Sequence, residues 1–176
     1  HWGVQPDMMT LAKGITSAYF PVGATLVSAK VAEAFESDQS GEGSIYHGYT
    51  YSAHPVGMAA VNACLCEAVR LDLKTNAATL GSQLFDGLKV LQADFDIIGD
   101  VRGGHGLMSA VELVSDRVTK SPMEISSVKR AHKATYEAGT MVRVGGNNLL
   151  MSPPLTLTET DVQKILADLR TGLASI

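Results

Sequence analysis

The sequence predicts a mixed α/β chain whose second half is a compact α+β unit around a small antiparallel sheet. Three patterns in its 176 residues carry this reading. Leu80, Leu84, Leu88 and Leu91 fall at three- and four-residue steps, one face of an amphipathic helix. Leu107, Ser109, Val111 and Leu113 alternate with Met108, Ala110 and Glu112, the two-residue period of a half-buried strand. Two further β-like runs, 140–144 and 149–152, are split by Gly145-Gly146-Asn147-Asn148, which reads as a hairpin with a glycine-rich turn.

Residues 1 to about 53 lack helical periodicity over most of their length. Val22–Ser28 reads as a short buried strand and Val31–Glu36 as a brief helix, before a loop marked by Gly41, Gly43 and Ser44. Pro55 suits the first turn of the next helix. From Val56 to Val69 that helix carries little charge, so it is expected to be covered on more than one side, as a connector between domains. Thr75 or Asn76 is the expected cap of the leucine-striped helix. Val128, Ala131, Thr135 and Ala138 outline another helix, ended by Gly139. Pro153-Pro154 stops the last strand, and Thr158 with Asp161 opens the final helix, whose apolar line is Val162, Ile165, Leu166, Leu169 and Leu173.

Composition narrows the function. The chain is 45% hydrophobic and 18% charged, with a formal charge of −4 and scattered basic residues. A nucleic-acid or anionic-membrane partner is not expected from that balance. No uninterrupted apolar run reaches the roughly 18 residues of a membrane span, and the first residues lack the basic start and apolar core of a signal peptide. Cys64 and Cys66, two apart on a helix, point away from each other, so reduced structural thiols in a cytoplasmic protein are expected. The histidines show no metal-ligand spacing, so no metal site is expected. Gly103-Gly104-His105-Gly106 precedes a strand, the wrong context for a dinucleotide or phosphate cradle.

Three residues stand out for chemistry. Lys13 is a lone lysine in a long uncharged stretch, beside Gly14. An ammonium removed from water becomes a neutral nucleophile able to form a Schiff base with a carbonyl; the ordinary alternative is a surface lysine at the end of an apolar strand. Thr50, in Gly48-Tyr49-Thr50-Tyr51-Ser52 ahead of a helix, offers a hydroxyl and nearby N–H groups to a phosphate, or serves as a plain turn or N-cap threonine. Arg143, on a strand face with Met141 beside the glycine turn, can pair bidentately with a carboxylate, or is a solvated strand arginine.

In order along the chain, these segments resemble the class III pyridoxal-phosphate-dependent aminotransferases. Pro6-Asp7, Ala12-Lys13-Gly14 and Pro21-Val22-Gly23-Ala24 are similar to that family's lysine segment, and His47-Gly48-Tyr49-Thr50-Tyr51-Ser52-Ala53-His54-Pro55 to its second hallmark. Val101-Arg102-Gly103, Gly106-Leu107-Met108 and Glu112-Leu113 resemble the first strand of its C-terminal domain. Val142-Arg143-Val144 and Leu150-Met151-Ser152-Pro153-Pro154-Leu155 resemble the strand pair before its last helix. The similarity is greatest to the ω-transaminase branch, the amine (or β-alanine):pyruvate aminotransferases.

The resemblance implies fold-type I: residues 1–60 the end of the large cofactor-binding domain, 61–176 the connector helix and an α+β small domain. It implies pyridoxal 5'-phosphate as cofactor and transfer of an amino group from an amine or ω-amino acid to pyruvate or a similar keto acid. Lys13 would be the catalytic, cofactor-holding lysine, Thr50 a phosphate contact across a homodimer interface, and Arg143 a movable clamp for the substrate carboxylate. The family's pyridine-nitrogen aspartate, ring-stacking aromatic and main phosphate turn have no counterpart in this sequence. Asp7 belongs to the turn that introduces the lysine. The sequence is therefore expected to correspond to the C-terminal portion of such an enzyme. A non-catalytic assembly module of that kind, or an aminomutase or decarboxylase on the same scaffold, is the alternative.

Overall fold

The computed structural model describes residues 2–176, which divide into two compact units, one ending at Leu71 and the other spanning Asp72–Ile176. In the first, β1 (Met8–Ala12) pairs antiparallel with β2 (Gly23–Val27), from Met8 opposite Val27 to Ala12 opposite Gly23. A short 3-10 turn, Lys13–Ile15, begins the connection between them. Helix α1 (Ala29–Glu36) follows, then an irregular stretch, then α2 (Pro55–Arg70) with its proline in the first turn. β2 is exposed along its whole length, against the buried strand expected, because among the described residues its only partner is β1. α2 also departs from expectation: Gly57 is its one buried residue, while Val56, Leu65 and Val69 are exposed. No helix among the described residues is long and apolar enough to cross a membrane.

The second unit is built on a sheet ordered β3 (Ile98–Arg102), β4 (Ser109–Asp116), β7 (Asn148–Met151), β6 (Arg143–Gly145), with the two-residue β5 (Ser121–Pro122) also paired to β4. All pairings are antiparallel. Alternation along the strands turns the row Val101, Val111, Leu149 and Val144 toward the core. Three helices supply the rest of that core: α3 (Leu73–Asp94) with Leu80, Leu84, Leu88 and Leu91, α4 (Ile125–Ala138) with Val128 and Ala131, and α5 (Glu159–Leu173) with Val162, Ile165, Leu169 and Leu173.

Helix ends follow local chemistry. The Thr158 hydroxyl accepts from the Asp161 N–H, and the Asp161 carboxylate accepts from the Thr158 N–H at 2.9 Å, a complete capping box. α3 starts at Leu73 behind Asp72, which has a left-handed backbone, and neither Thr75 nor Asn76 caps it. The Asn76 amide is otherwise engaged, donating to the carbonyls of Leu155 and Leu157 at 2.8 and 3.0 Å and tying α3 to the approach of α5. The hairpin turn is tighter than the glycine run suggests: Gly145 pairs with Asn148, leaving only Gly146, at φ +62°, and Asn147 in the turn.

α4 and α5 touch where Gly172 meets Ala131 and Thr135. A Cβ on Gly172 would fall 2.6 Å from the Ala131 carbonyl oxygen and would overlap the Thr135 hydroxyl, which donates to that same carbonyl. Gly172→Ala is expected to destabilise this chain by about 2 kcal/mol, because neither backbone nor a hydrogen-bonded threonine gives way cheaply. A lowered urea midpoint at unchanged slope measures it.

Candidate active site

Lys13 sits where β1 ends, and its backbone leaves the strand with φ +54°, a left-handed conformation shared by Ser17 and Ala18 four and five residues later. For residues with a Cβ this costs about 1–2 kcal/mol each, so something must hold the loop. Thr16 does. Only 1% exposed, it donates its hydroxyl to the Phe20 carbonyl at 2.6 Å; its N–H bonds the Lys13 carbonyl at 3.2 Å and its own carbonyl receives the Tyr19 N–H at 2.9 Å. The loop is thus folded around one buried threonine that the sequence reading passed over; nothing short of the fold marks it.

The Phe20 ring carries this anchoring on to α2. It lies 5.3 Å, centroid to centroid, from the His54 ring, and a Cβ on Gly57 would come within 3.0 Å of it. Gly57 is therefore the point at which α2 can approach the lysine loop. Beside it, Leu11, Pro21, Val22, His47, Tyr49 and Tyr51 are among the residues lining an open cleft of about 920 Å³.

Thr50 is exposed in the turn closed by the Ser52 N–H to the Tyr49 carbonyl, 2.9 Å, and by the Tyr49 N–H to the Ser52 hydroxyl, 3.0 Å. His54 is the residue at the N-cap of α2, so Thr50 is a turn residue that leads to the helix and does not cap it. Asp7 is tied up locally: its carboxylate accepts from the Ser28 hydroxyl at 3.1 Å and pairs with Lys30 at 3.8 Å.

The ammonium of Lys13 was expected to be withdrawn from water, yet the residue is exposed in this chain. The physical reason is the same as for β2: of the residues in β1, only Leu11 is even half-buried, and a two-stranded ribbon gives its end no cover.

Arg143 belongs to the second unit. It is the first residue of β6, exposed, and residues 140–142 before it are not strand, so it does not share a strand face with Met141. The register instead puts Arg102, Ala110, Leu150 and Arg143 in one row across the sheet, on the side away from the helices. Arg102 is saturated, donating to Asp100 at 2.9 Å, to Glu112 at 2.7 Å and to Asn148. Those bonds, first Glu112 and then Asp100, hold its guanidinium even more firmly charged than usual. Among the described residues Arg143 makes no ion pair. Asp100 and Glu112 on this sheet face are thus already matched by Arg102, while Arg143 has no acid partner among the described residues.

Compared with known proteins, residues 1–173 match the family model for class III aminotransferases. The chain belongs to that family. This aminotransferase chain is 39% identical over its whole length to an uncharacterised aminotransferase of Sinorhizobium fredii, covering 38% of it. It is 33% identical, again over its whole length, to taurine–pyruvate aminotransferase of Bilophila wadsworthia, covering 40%. Among solved structures, an amine transaminase from an uncultivated Pseudomonas species in its PLP-bound form superposes with a TM-score of 0.91 at 42% identity, over 98% of this chain and 39% of that one. An (S)-enantioselective omega-transaminase from Thermomicrobium roseum superposes at 0.86 and 35% identity, over 98% and 38%. The fold is the fold-type I architecture of these transaminases, and the aminotransferase chain spans about two fifths of the length of the relatives it matches.

Among the described residues no three His, Cys, Asp or Glu side chains are grouped to hold a metal ion. Cys64 and Cys66 are free thiols. The donor set suits a phosphorylated aldehyde in kind: a primary amine on a fixed turn for the carbonyl, a threonine hydroxyl on an open turn for the phosphate.

Thr16→Val keeps the shape of the buried side chain but leaves the Phe20 carbonyl without its donor. It should cost about 1–2 kcal/mol in denaturant unfolding and raise amide exchange in residues 13–20 ahead of the rest of the chain.

Proposed function

We propose that this chain carries the lysine and the carboxylate-binding arginine of a transaminase, which moves an amino group from an amine or ω-amino acid to pyruvate or a similar small keto acid. The observation that carries the reading is Lys13 held at φ +54° by the Thr16 loop, within a chain whose residues 1–173 match class III aminotransferases. The amine and omega-transaminases among the solved relatives support an amine donor.

Pyridoxal 5'-phosphate, when bound, supplies an aldehyde carbon for the amino group and a conjugated ring that takes up electrons. Lys13 would hold that aldehyde through Nζ until a substrate amine displaces it. The freed Nζ, neutral, would then take the proton from the substrate carbon and return it on the other side of the transfer. This work requires the exposed Lys13 side chain to be enclosed by residues outside the two-stranded ribbon, which lowers its ammonium's solvation and favours the neutral amine. Thr50 would donate its hydroxyl to the phosphate held by a second copy of the protein, making the working unit a homodimer. Arg143 would grip a substrate carboxylate bidentately and swing aside for a carboxylate-free amine.

Incubating the protein with pyridoxal phosphate and reducing with borohydride should add one reduced cofactor per chain, on the peptide containing Lys13, and Lys13→Ala should remove the adduct. Modification of a different lysine would overturn the assignment. In donor half-reactions, Arg143→Ala should lower kcat/KM for alanine about 10- to 100-fold, the worth of a charge-assisted hydrogen-bonded pair, while a carboxylate-free amine is little affected. Intact activity with alanine would rule out the clamp.

A further inference from the structure

Among the described residues Asp168 is the one buried acid, 7% exposed on the inner side of α5. Its carboxylate oxygen Oδ2 accepts from the Thr140 hydroxyl at 2.6 Å and from Lys164 Nζ at 2.7 Å. The same Nζ donates to the Ala138 carbonyl at 3.1 Å, at the end of α4. Burial pushes the Asp168 carboxyl up, but the bonds from Lys164 and Thr140 outweigh it and hold the group below the usual carboxylate range.

These bonds grip the chain on both sides of Gly139, which turns at φ +123°, a backbone that side-chain-bearing residues rarely adopt; a Cβ there would also push Lys164 Nζ, 2.7 Å away, from its place. Two residues after Thr140, Val142 is sunk in the core, and the next residue is Arg143. β6 itself is three residues long and lies at the sheet edge, so its own ladder fixes Arg143 weakly. The start of the irregular strap 139–142 is held to α4 by the Gly139 N–H to the Tyr136 carbonyl, 3.0 Å, and the Thr140 N–H to the Thr135 carbonyl, 3.1 Å; Asp168, Lys164 and the buried Val142 add the ties to α5 and the core.

Packing alone does not account for an acid at this point. α4 and α5 already meet at Gly172, Ala131 and Thr135, and a buried carboxylate is costly where an apolar side chain would fill the same space. What Asp168 adds is a bond to an irregular segment ending at Arg143. We propose that Asp168, charge-balanced by Lys164, is a positioning residue for Arg143: through Thr140 it fixes the backbone pivot from which the guanidinium reaches a substrate carboxylate. This inference rests on the reading of Arg143 as the carboxylate clamp.

The test uses Thr140→Val, which cuts the tie while leaving the Asp168–Lys164 pair in place, and Asp168→Asn, in the cofactor-loaded protein. For a carboxylate-bearing donor such as alanine, each variant should raise KM about tenfold, as expected for a displaced binding group, with kcat nearly unchanged. A carboxylate-free amine should keep its KM. Combined with Arg143→Ala, Thr140→Val should add no further loss with alanine, since the pivot then carries nothing. Hydrogen exchange should rise in residues 139–145 and not along α4 or α5. Equal losses for both donors, or additive losses in the double variant, would overturn the positioning role while leaving the clamp standing. If Arg143→Ala itself fails to distinguish the donors, the clamp reading falls and this inference with it.

Discussion

The bond from the Thr16 hydroxyl to the Phe20 carbonyl is the interaction on which the Lys13 loop depends. It closes a turn containing two left-handed non-glycine residues, Ser17 and Ala18, while the Thr16 N–H ties the same residue back to the carbonyl of Lys13, itself left-handed. The same bond sets the Phe20 backbone and so presents its ring to His54 and to the bare backbone of Gly57. One buried hydroxyl thereby couples the lysine loop to the start of α2, and α2 is entered from the turn that carries Thr50. The amine and the hydroxyl are held to a common frame by packing of a single aromatic ring.

In the second unit the comparable device is electrostatic. Asp100 and Glu112 project from the same sheet face as Arg143, and unmatched they would compete with any anion for its charge. Arg102 gathers both, and Asn148 as well, from three neighbouring strands. Ala110 and Leu150 separate the two arginines in the row, so the saturated guanidinium and the open one are kept on opposite sides of a small apolar strip. The charge on this face near Arg143 is thus set as much by where negative charge has been cancelled as by the arginine itself.

Much of this was legible before any coordinates. Period and punctuation located α2, α4, α5 and the hairpin, because their stripes, Pro55, Gly139 and the Thr158–Asp161 box are local signals. Lys13, Thr50 and Arg143 were singled out by residue type in context and by motif. What was not legible depends on partners distant in sequence. Asn76 looked like a cap and is instead consumed by Leu155 and Leu157. Thr16 has no local pattern to betray it. Asp168 left one trace, an acid four residues after Lys164 and beside Leu169 on the apolar side of α5, but its use depends on Thr140, which is 28 residues away. The exposure of α2 was misread for a related reason: periodicity reports how apolar a helix is, and coverage is decided elsewhere.

The short strap between α4 and β6 has a consequence for how this corner can change. Side chains on a strand alternate between faces, so an insertion or deletion that slipped β6 by one residue along β7 would turn the Arg143 guanidinium to the core side and bring Val144 out to the other face. Length at this point is quantised, while side-chain chemistry is not. Retuning of the arginine's surroundings is thus confined to replacement of residues in place, with the spacing from the glycine bend left intact.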